Sequence, residues 1–219
     1  MTTTNLQNVK ESYRKDMKKD TETRQKEIIE ISLEILKDGG VQKFTMKEIA
    51  KRAGISEQAI YRHFENKLAI LAAVIEYFRG RVGETLKRAM EEGSPLQQLQ
   101  KFIETLLEYF EKHPGVAVVV TSEDIFRNES SLSQEIKEMV ENRISSITKI
   151  IQNGQEAGEI TDKYPAGDLA FMILGALRFL VTNWRLSSFS FSLQKEGESI
   201  KKSYLDLIKN TKPEKGCLL

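Results

Sequence analysis

Between Phe44 and Phe64 the sequence specifies two short helices on either side of one glycine. Thr45-Met46-Lys47-Glu48 has the form of a capping box, in which the threonine hydroxyl accepts an amide hydrogen bond and Glu48 reaches back. Phe44 and Ile49 stand at staple positions around it. Met46, Ile49, Ala50 and Ala53 recur at i, i+3, i+4 and i+7, the buried face of one helix. Gly54 ends that helix, and Ser56 is a good N-cap for the next. Ile60 and Phe64 then point inward, leaving Glu57, Gln58, Tyr61 and Arg62 on the outer face. Two helices joined this tightly form a helix-turn-helix, whose second helix can lay polar side chains against base edges. The same pairing also occurs as plain structure, so the spacing leaves both readings open.

The rest of the chain agrees with a helical fold. Only 4 Pro and 13 Gly punctuate 219 residues, too few for a many-stranded sandwich. Hydrophobic residues make up 40% and charged residues 30%, enough for a sizeable core without the signature of disorder. One Cys precludes an intramolecular disulfide and fits a reducing, cytoplasmic setting. Two His, His63 and His113, make a His-rich metal site unexpected, and no cofactor is called for. The net charge is +1, yet residues 41–67 carry 6 basic and 3 acidic side chains, so the basic excess coincides with the helix pair.

Residues 1–20 are polar and Lys-rich with no packable pattern, and are expected to be a disordered basic arm, either a solvated tail or an arm touching DNA phosphate. A helix is expected from about Thr23, with Ile28, Ile31 and Ile35 inward and Gly39-Gly40 as its stop. Further helices are expected from Asn66 to Met90, through Leu99–Phe110, over Leu132–Ala157, from Pro165 through Trp184, and over Lys195–Asn210. Val116–Val120 reads as helix because no partner strand exists. The longest apolar run, Leu169–Leu177, is too short to cross a membrane, which takes about 18 residues. Cys217 stands third from the end, one place off a prenylation box.

The segment Phe44–Ile75, FTMKEIAKRAGISEQAIYRHFENKLAILAAVI, closely resembles the TetR family of bacterial transcriptional regulators. The matching features are Thr45, Ile49-Ala50, Ala53-Gly54-Ile55-Ser56, Ile60-Tyr61-Arg62-His63-Phe64, Lys67 and Leu71, with Arg24 and Ile28 upstream. The resemblance implies an all-α chain. A three-helix DNA-binding domain at 21–66 leads through a connecting helix, 67–90, into a helical ligand-binding and dimerisation domain extending to 212, with a tail at 213–219. It implies that Thr45 and Lys47 contact phosphate or a nearby base edge, and that Ser56, Glu57, Gln58 and Ala59 present the start of the recognition helix to bases. Tyr61, Arg62 and His63 would meet the backbone, and Lys67 would hold phosphate at a helix amino end. Against these stand plainer roles: packing for Tyr61, a helix-end hydrogen bond for His63, solvated charge for Lys47 and Lys51.

Aromatic and aliphatic residues between Phe102 and Trp184 suit an apolar small-molecule cavity, with Phe102, Leu106, Phe110, Phe126, Phe171 and Phe179 as candidate lining or, equally, as core. Phe171–Leu180 is apolar nearly all round and needs cover on several sides. A homodimer through Phe171, Met172, Gly175, Ala176, Phe179, Leu205 and Ile208 would supply it, as the resemblance also implies. The expected function is a regulator, acting as a repressor, that binds double-stranded DNA as a homodimer and is released by a hydrophobic effector, with no membrane partner. The alternative is a chromosome-organising DNA-binding protein without an effector. An enzyme is not expected: there is no phosphate loop, HExxH, paired-Cys spacing or nucleophile elbow.

Overall fold

A computed structural model describes residues 3–122 and 130–210, with side chains from residue 21 and, in the second stretch, from 132. Phe126, Cys217 and the tail at 213–219 lie outside the described residues. The described residues form helices α1 (Thr3–Lys43), α2 (Met46–Ala53), α3 (Glu57–Tyr61), α4 (Lys67–Glu91), α5 (Pro95–Lys112), α6 (Pro114–Thr121), α7 (Ser130–Glu156), α8 (Ala166–Leu186) and α9 (Leu193–Ile208). There is no strand among them, only an isolated bridge between Ile160 and Lys209. The chain divides into two compact units, 1–76 and 77–219, with the boundary inside α4.

In the first unit α1 packs on α2, and α2 on α3. Ile28, Ile35, Leu36, Phe44, Ile49, Ile60 and Ile70 are fully buried and form its core. The expected stop in α1 is present: Gly40 takes φ 62°, a conformation that an L side chain adopts only at a cost. The backbone of 3–20 is helical and continuous with the packed part of α1. Neither Gly nor Pro occurs between Thr3 and Asp38, so nothing in the chain stops a helix nucleated on the core from propagating backward.

In the second unit α5 packs on α9, α7 on α8, and α6 and α9 against α8. Leu99, Phe102, Ile103, Leu107, Ile147, Ile151, Ile173 and Leu177 supply its core. Helix α6 confirms the helical reading of Val116–Val120 and is buried from Gly115 to Val119. Several buried polar groups are matched within the unit. Lys201 is buried and bridges Glu104 of α5 and Glu198, the latter at 2.6 Å. The Tyr204 hydroxyl donates to the Leu169 carbonyl at 2.8 Å, and the Trp184 indole N–H to that of Phe191 at 2.8 Å. Glu111 accepts the backbone N–H of Leu193 at 2.8 Å and a hydrogen bond from Gln194, fixing the start of α9.

Helix α8 is long and apolar enough, by length and composition alone, to cross a membrane, although its uninterrupted apolar run falls short. The structure resolves why. Leu169, Ile173, Leu177, Val181 and Trp184 line a face buried within the unit, while Phe171, Met172, Phe179 and Leu186 line a second, exposed one. The apolar count is the sum of two faces with different neighbours.

Candidate nucleic-acid interface and sensor core

The turn between α2 and α3 is built by three local devices. Thr45 Oγ1 accepts the Glu48 N–H at 3.1 Å. Gly54 sits at φ 65°, ψ 28°, and its N–H reaches the carbonyls of Ala50 and Lys51. Ser56 Oγ accepts the Ala59 N–H at 3.2 Å and opens α3. Only half of the expected capping box forms. The Glu48 carboxylate turns away to Arg52 Nε, 3.2 Å distant, and Arg52 also pairs with Asp38 at 2.8 Å. A guanidinium with two carboxylates to satisfy outcompetes a single backbone N–H. The hydrogen bonds to Asp38 and Glu48 hold the Arg52 pKa above its ordinary value.

The two faces of the pair separate as the sequence indicates. Ile49, Ala50, Ile60 and Phe64 are buried; Thr45, Lys47, Ser56, Glu57, Gln58, Tyr61, Arg62 and Lys67 are exposed. Tyr61 leaves 52% of its surface in water, so its ring does not serve mainly as core packing. Ala59 and His63 are half-buried. The His63 Nδ1 points inward without a hydrogen-bond partner, and its backbone carbonyl accepts from Gln25 Nε2 at 3.2 Å. Among the described residues Lys47, Lys51, Arg62 and Lys67 make no ion pair, in contrast to Arg52. Asn66 Oδ1 accepts the Ala69 N–H at 2.9 Å, so Lys67 occupies the first turn of α4, where the helix dipole favours an anion. These exposed residues offer unpaired cations, an amide, a hydroxyl and a phenol, groups able to contact phosphate and base edges.

The candidate cavity residues do not form one lining. Phe102 and Phe110 are buried and Leu106 is half-buried, whereas Phe171 and Phe179 are 68% and 74% exposed. They sit on the outer face of α8 because the opposite face already fills the core. The proposed interface set divides likewise. Phe171, Met172, Gly175 and Phe179 are on the outer face, with Ala176 half-buried at its edge. On α9, Leu205 is half-buried, but Ile208 is fully buried and Leu207, 62% exposed, takes the outward position. Leu186 extends the α8 face; it was missed because it lies past the apolar run, though its spacing of seven from Phe179 marks it.

Within the second unit an aromatic group gathers around Tyr109, with the rings of Phe78 at 5.5 Å and His113 at 4.5 Å. The Tyr109 hydroxyl is buried without a hydrogen-bond partner, and burial pushes its pKa up to about 12. Burial, then the charges of Arg81 and Lys112, lower the His113 pKa, which keeps that imidazole neutral at pH 7. Among the described residues no group of three or more His, Cys, Asp or Glu could hold a metal ion.

Known proteins share both parts of this arrangement. Residues 28–74 match the family described as bacterial regulatory proteins, tetR family, and residues 95–211 match the tetracyclin repressor-like C-terminal domain. The nucleoid occlusion factor SlmA of Haemophilus influenzae strain PittGG is 24% identical over 185 residues, 81% of this chain and 85% of that protein. The fatty acid metabolism regulator protein of Bacillus subtilis strain 168 is 27% identical over 173 residues, 76% of this chain and 86% of that one. The crystal structure of the transcriptional regulator FadR from Bacillus subtilis in complex with stearoyl-CoA has the same fold, with a TM-score of 0.68 and 24% identity, covering 83% of this chain and 98% of that one. Since the exposed α2–α3 surface falls inside the first matched segment and the second spans more than half the chain, this protein belongs to the TetR family and is a helix-turn-helix, DNA-binding transcription regulator.

Proposed function

We propose that this regulator is a ligand-responsive repressor that binds operator DNA as a homodimer and is released by a hydrophobic or amphipathic small molecule held in the C-terminal unit. The observation that carries the DNA part is the exposed face of α2 and α3, with Lys47, Arg62 and Lys67 unpaired beside Gln58 and Tyr61. The Gln58 amide can pair with adenine in two hydrogen bonds, while Ala59 offers only a methyl to thymine. The dimer part is supported by the exposed apolar face of Phe171, Met172, Phe179 and Leu186, with Leu207 on α9. An exposed stripe of large apolar side chains of this kind commonly marks a protein–protein interface. Two recognition helices about 34–36 Å apart, or a multiple of that, would meet successive major grooves.

The effector part is supported by the relative named as a fatty acid metabolism regulator and by the related structure that holds stearoyl-CoA. A ligand that binds the DNA-free geometry better weakens operator binding. By linkage, operator weakens ligand binding by the same factor, typically about 5–150-fold. Titration of the operator upstream of the gene, with and without a ligand found by screening acyl and sterol compounds, tests this. A tight ligand that leaves operator affinity unchanged overturns the responsive reading for that ligand. It would then favour a chromosome-organising role without an effector, the reading that the similarity to a nucleoid occlusion factor supports.

A further inference from the structure

Arg143 occupies a place where a core residue belongs. The inward positions of α7 run Leu132, Ile136, Met139, Arg143, Ile147, Ile150, in steps of three and four along one helix face. Leu132, Ile147 and Ile150 are buried, and the three between them are half-buried. The Arg143 guanidinium lies over the ring of Phe102 on α5, 5.5 Å from its centroid, and Phe102 is fully buried. Among the described residues Arg143 makes no hydrogen bond and no ion pair.

Among the described residues of α5 and the adjoining turns of α7, no carboxylate is free to serve it. The positions one turn away on α7 are Met139, Val140, Ser146 and Ile147, none of them acidic. On α5, Glu104 is held by Lys201, Glu108 by Lys112, and Glu111 by Leu193 and Gln194. Burial lowers the Arg143 pKa, the direction expected of a cation with no counter-charge beside it. Arginine does not escape by losing its proton, so the site stays charged and under-solvated. A leucine would pack better in this stripe, and the ring of Phe102 alone offers a cation less than a carboxylate or phosphate does.

We propose that Arg143 anchors the anionic head group, a carboxylate or phosphate, of an amphipathic effector whose apolar body lies in the C-terminal unit beside Phe102. The inference rests on the ligand-responsive reading above and names the ligand class. The guanidinium offers two parallel N–H donors to two oxygens, a match that an alcohol or an ester lacks. Apolar burial supplies affinity, and the head group supplies selectivity.

The test uses the full chain and calorimetry with dodecanoate, dodecyl phosphate, dodecanol and methyl dodecanoate below their aggregation limits. Wild type is expected to bind dodecanoate or dodecyl phosphate about tenfold or more tighter than dodecanol, and the stronger of the two anions identifies the head group. In Arg143→Met the anions fall to the affinity of dodecanol, dodecanol itself is unchanged, and the melting temperature of the free protein holds or rises. Arg143→Lys keeps the charge without the fork and recovers part of the preference, and it serves as well if the methionine variant fails to fold. Equal binding of dodecanol and both anions by wild type overturns the head-group assignment while leaving the responsive reading intact. A lower melting temperature in Arg143→Met, with all four probes weakened alike, reduces Arg143 to a packing residue. Binding of none of the four, with operator binding normal, overturns both readings for amphiphiles.

Discussion

Arg52 and Lys67 have different electrostatic surroundings, and that decides what each can do. Arg52 is spent on Asp38 and Glu48, whereas Lys67 has no carboxylate and sits on a helix amino end. Lys67→Ala should therefore weaken specific and random duplexes alike and lower the salt slope by roughly 1 per subunit. Gln58→Ala should instead relax preference at one position in each half-site, at about 1–3 kcal/mol per base pair misread. Titrations at several salt concentrations separate the two, and an unchanged slope for Lys67→Ala would remove that residue from the phosphate contacts. In the second unit, burial disfavours charge on both Lys201 and Glu104, but it is outweighed by hydrogen bonds and charge attraction together, from Lys201 and Gln100 at Glu104 and from Glu104 and Glu198 at Lys201. The Glu104 carboxyl is held below its ordinary range and the Lys201 ammonium above its own. For Glu111, burial is likewise outweighed by hydrogen bonds from Ser192, Gln194 and the Leu193 backbone. The depressed carboxyls stabilise the fold fully above their unfolded pKa, about 4.3, and lose that as pH falls through the folded value. The raised ammonium stabilises fully below about 10.4 and loses it as pH rises through its folded value. Melting temperature should thus decline at both extremes, and Lys201→Met should make the alkaline decline shallower.

At the level of helices, two glycines are needed for different reasons. Gly54 must take φ 65°, and a Cβ there meets nothing within 4 Å. Gly54→Ala should cost about 1 kcal/mol through backbone strain alone, read as a lower melting temperature with the helix content kept. Gly197 lets α9 approach α5: a Cβ there would come within 2.1 Å of Leu107 Cδ1, and Leu107 is itself buried. Gly197→Ala should cost about 1–3 kcal/mol, because the buried Leu107 side chain must shift to admit the added methyl. Denaturant unfolding measures both, and a neutral Gly197→Ala would show that the α5–α9 contact is loosely packed.

For the whole molecule, the proposed homodimer rests on the outer face of α8. Phe179→Glu puts a charge in the middle of the exposed stripe and leaves the buried face of Leu177 and Val181 untouched. The variant should be a folded monomer by light scattering at micromolar concentration, with operator affinity lost because two half-sites no longer bind as one unit. A dimer that survives this change would place the interface elsewhere.

The helix-turn-helix was legible residue by residue because its determinants are local: a cap at Thr45, a left-handed glycine at Gly54, a cap at Ser56 and an apolar period on each side. Local signals also placed α4 to α9 close to their observed ends. What lay beyond them depended on neighbours far apart in sequence. The period of α8 shows that it is apolar all round, but only its packing against α6, α7 and α9 shows which side is core and which is left bare. The same packing buries Ile208, turns Leu207 outward and takes Phe171 and Phe179 away from Phe102, while the packing of α7 on α5 sets Arg143 over an aromatic ring without a counter-charge. A sequence records which residues are apolar or charged at each turn of a helix; which of them meet is fixed only when helices distant in the chain come together.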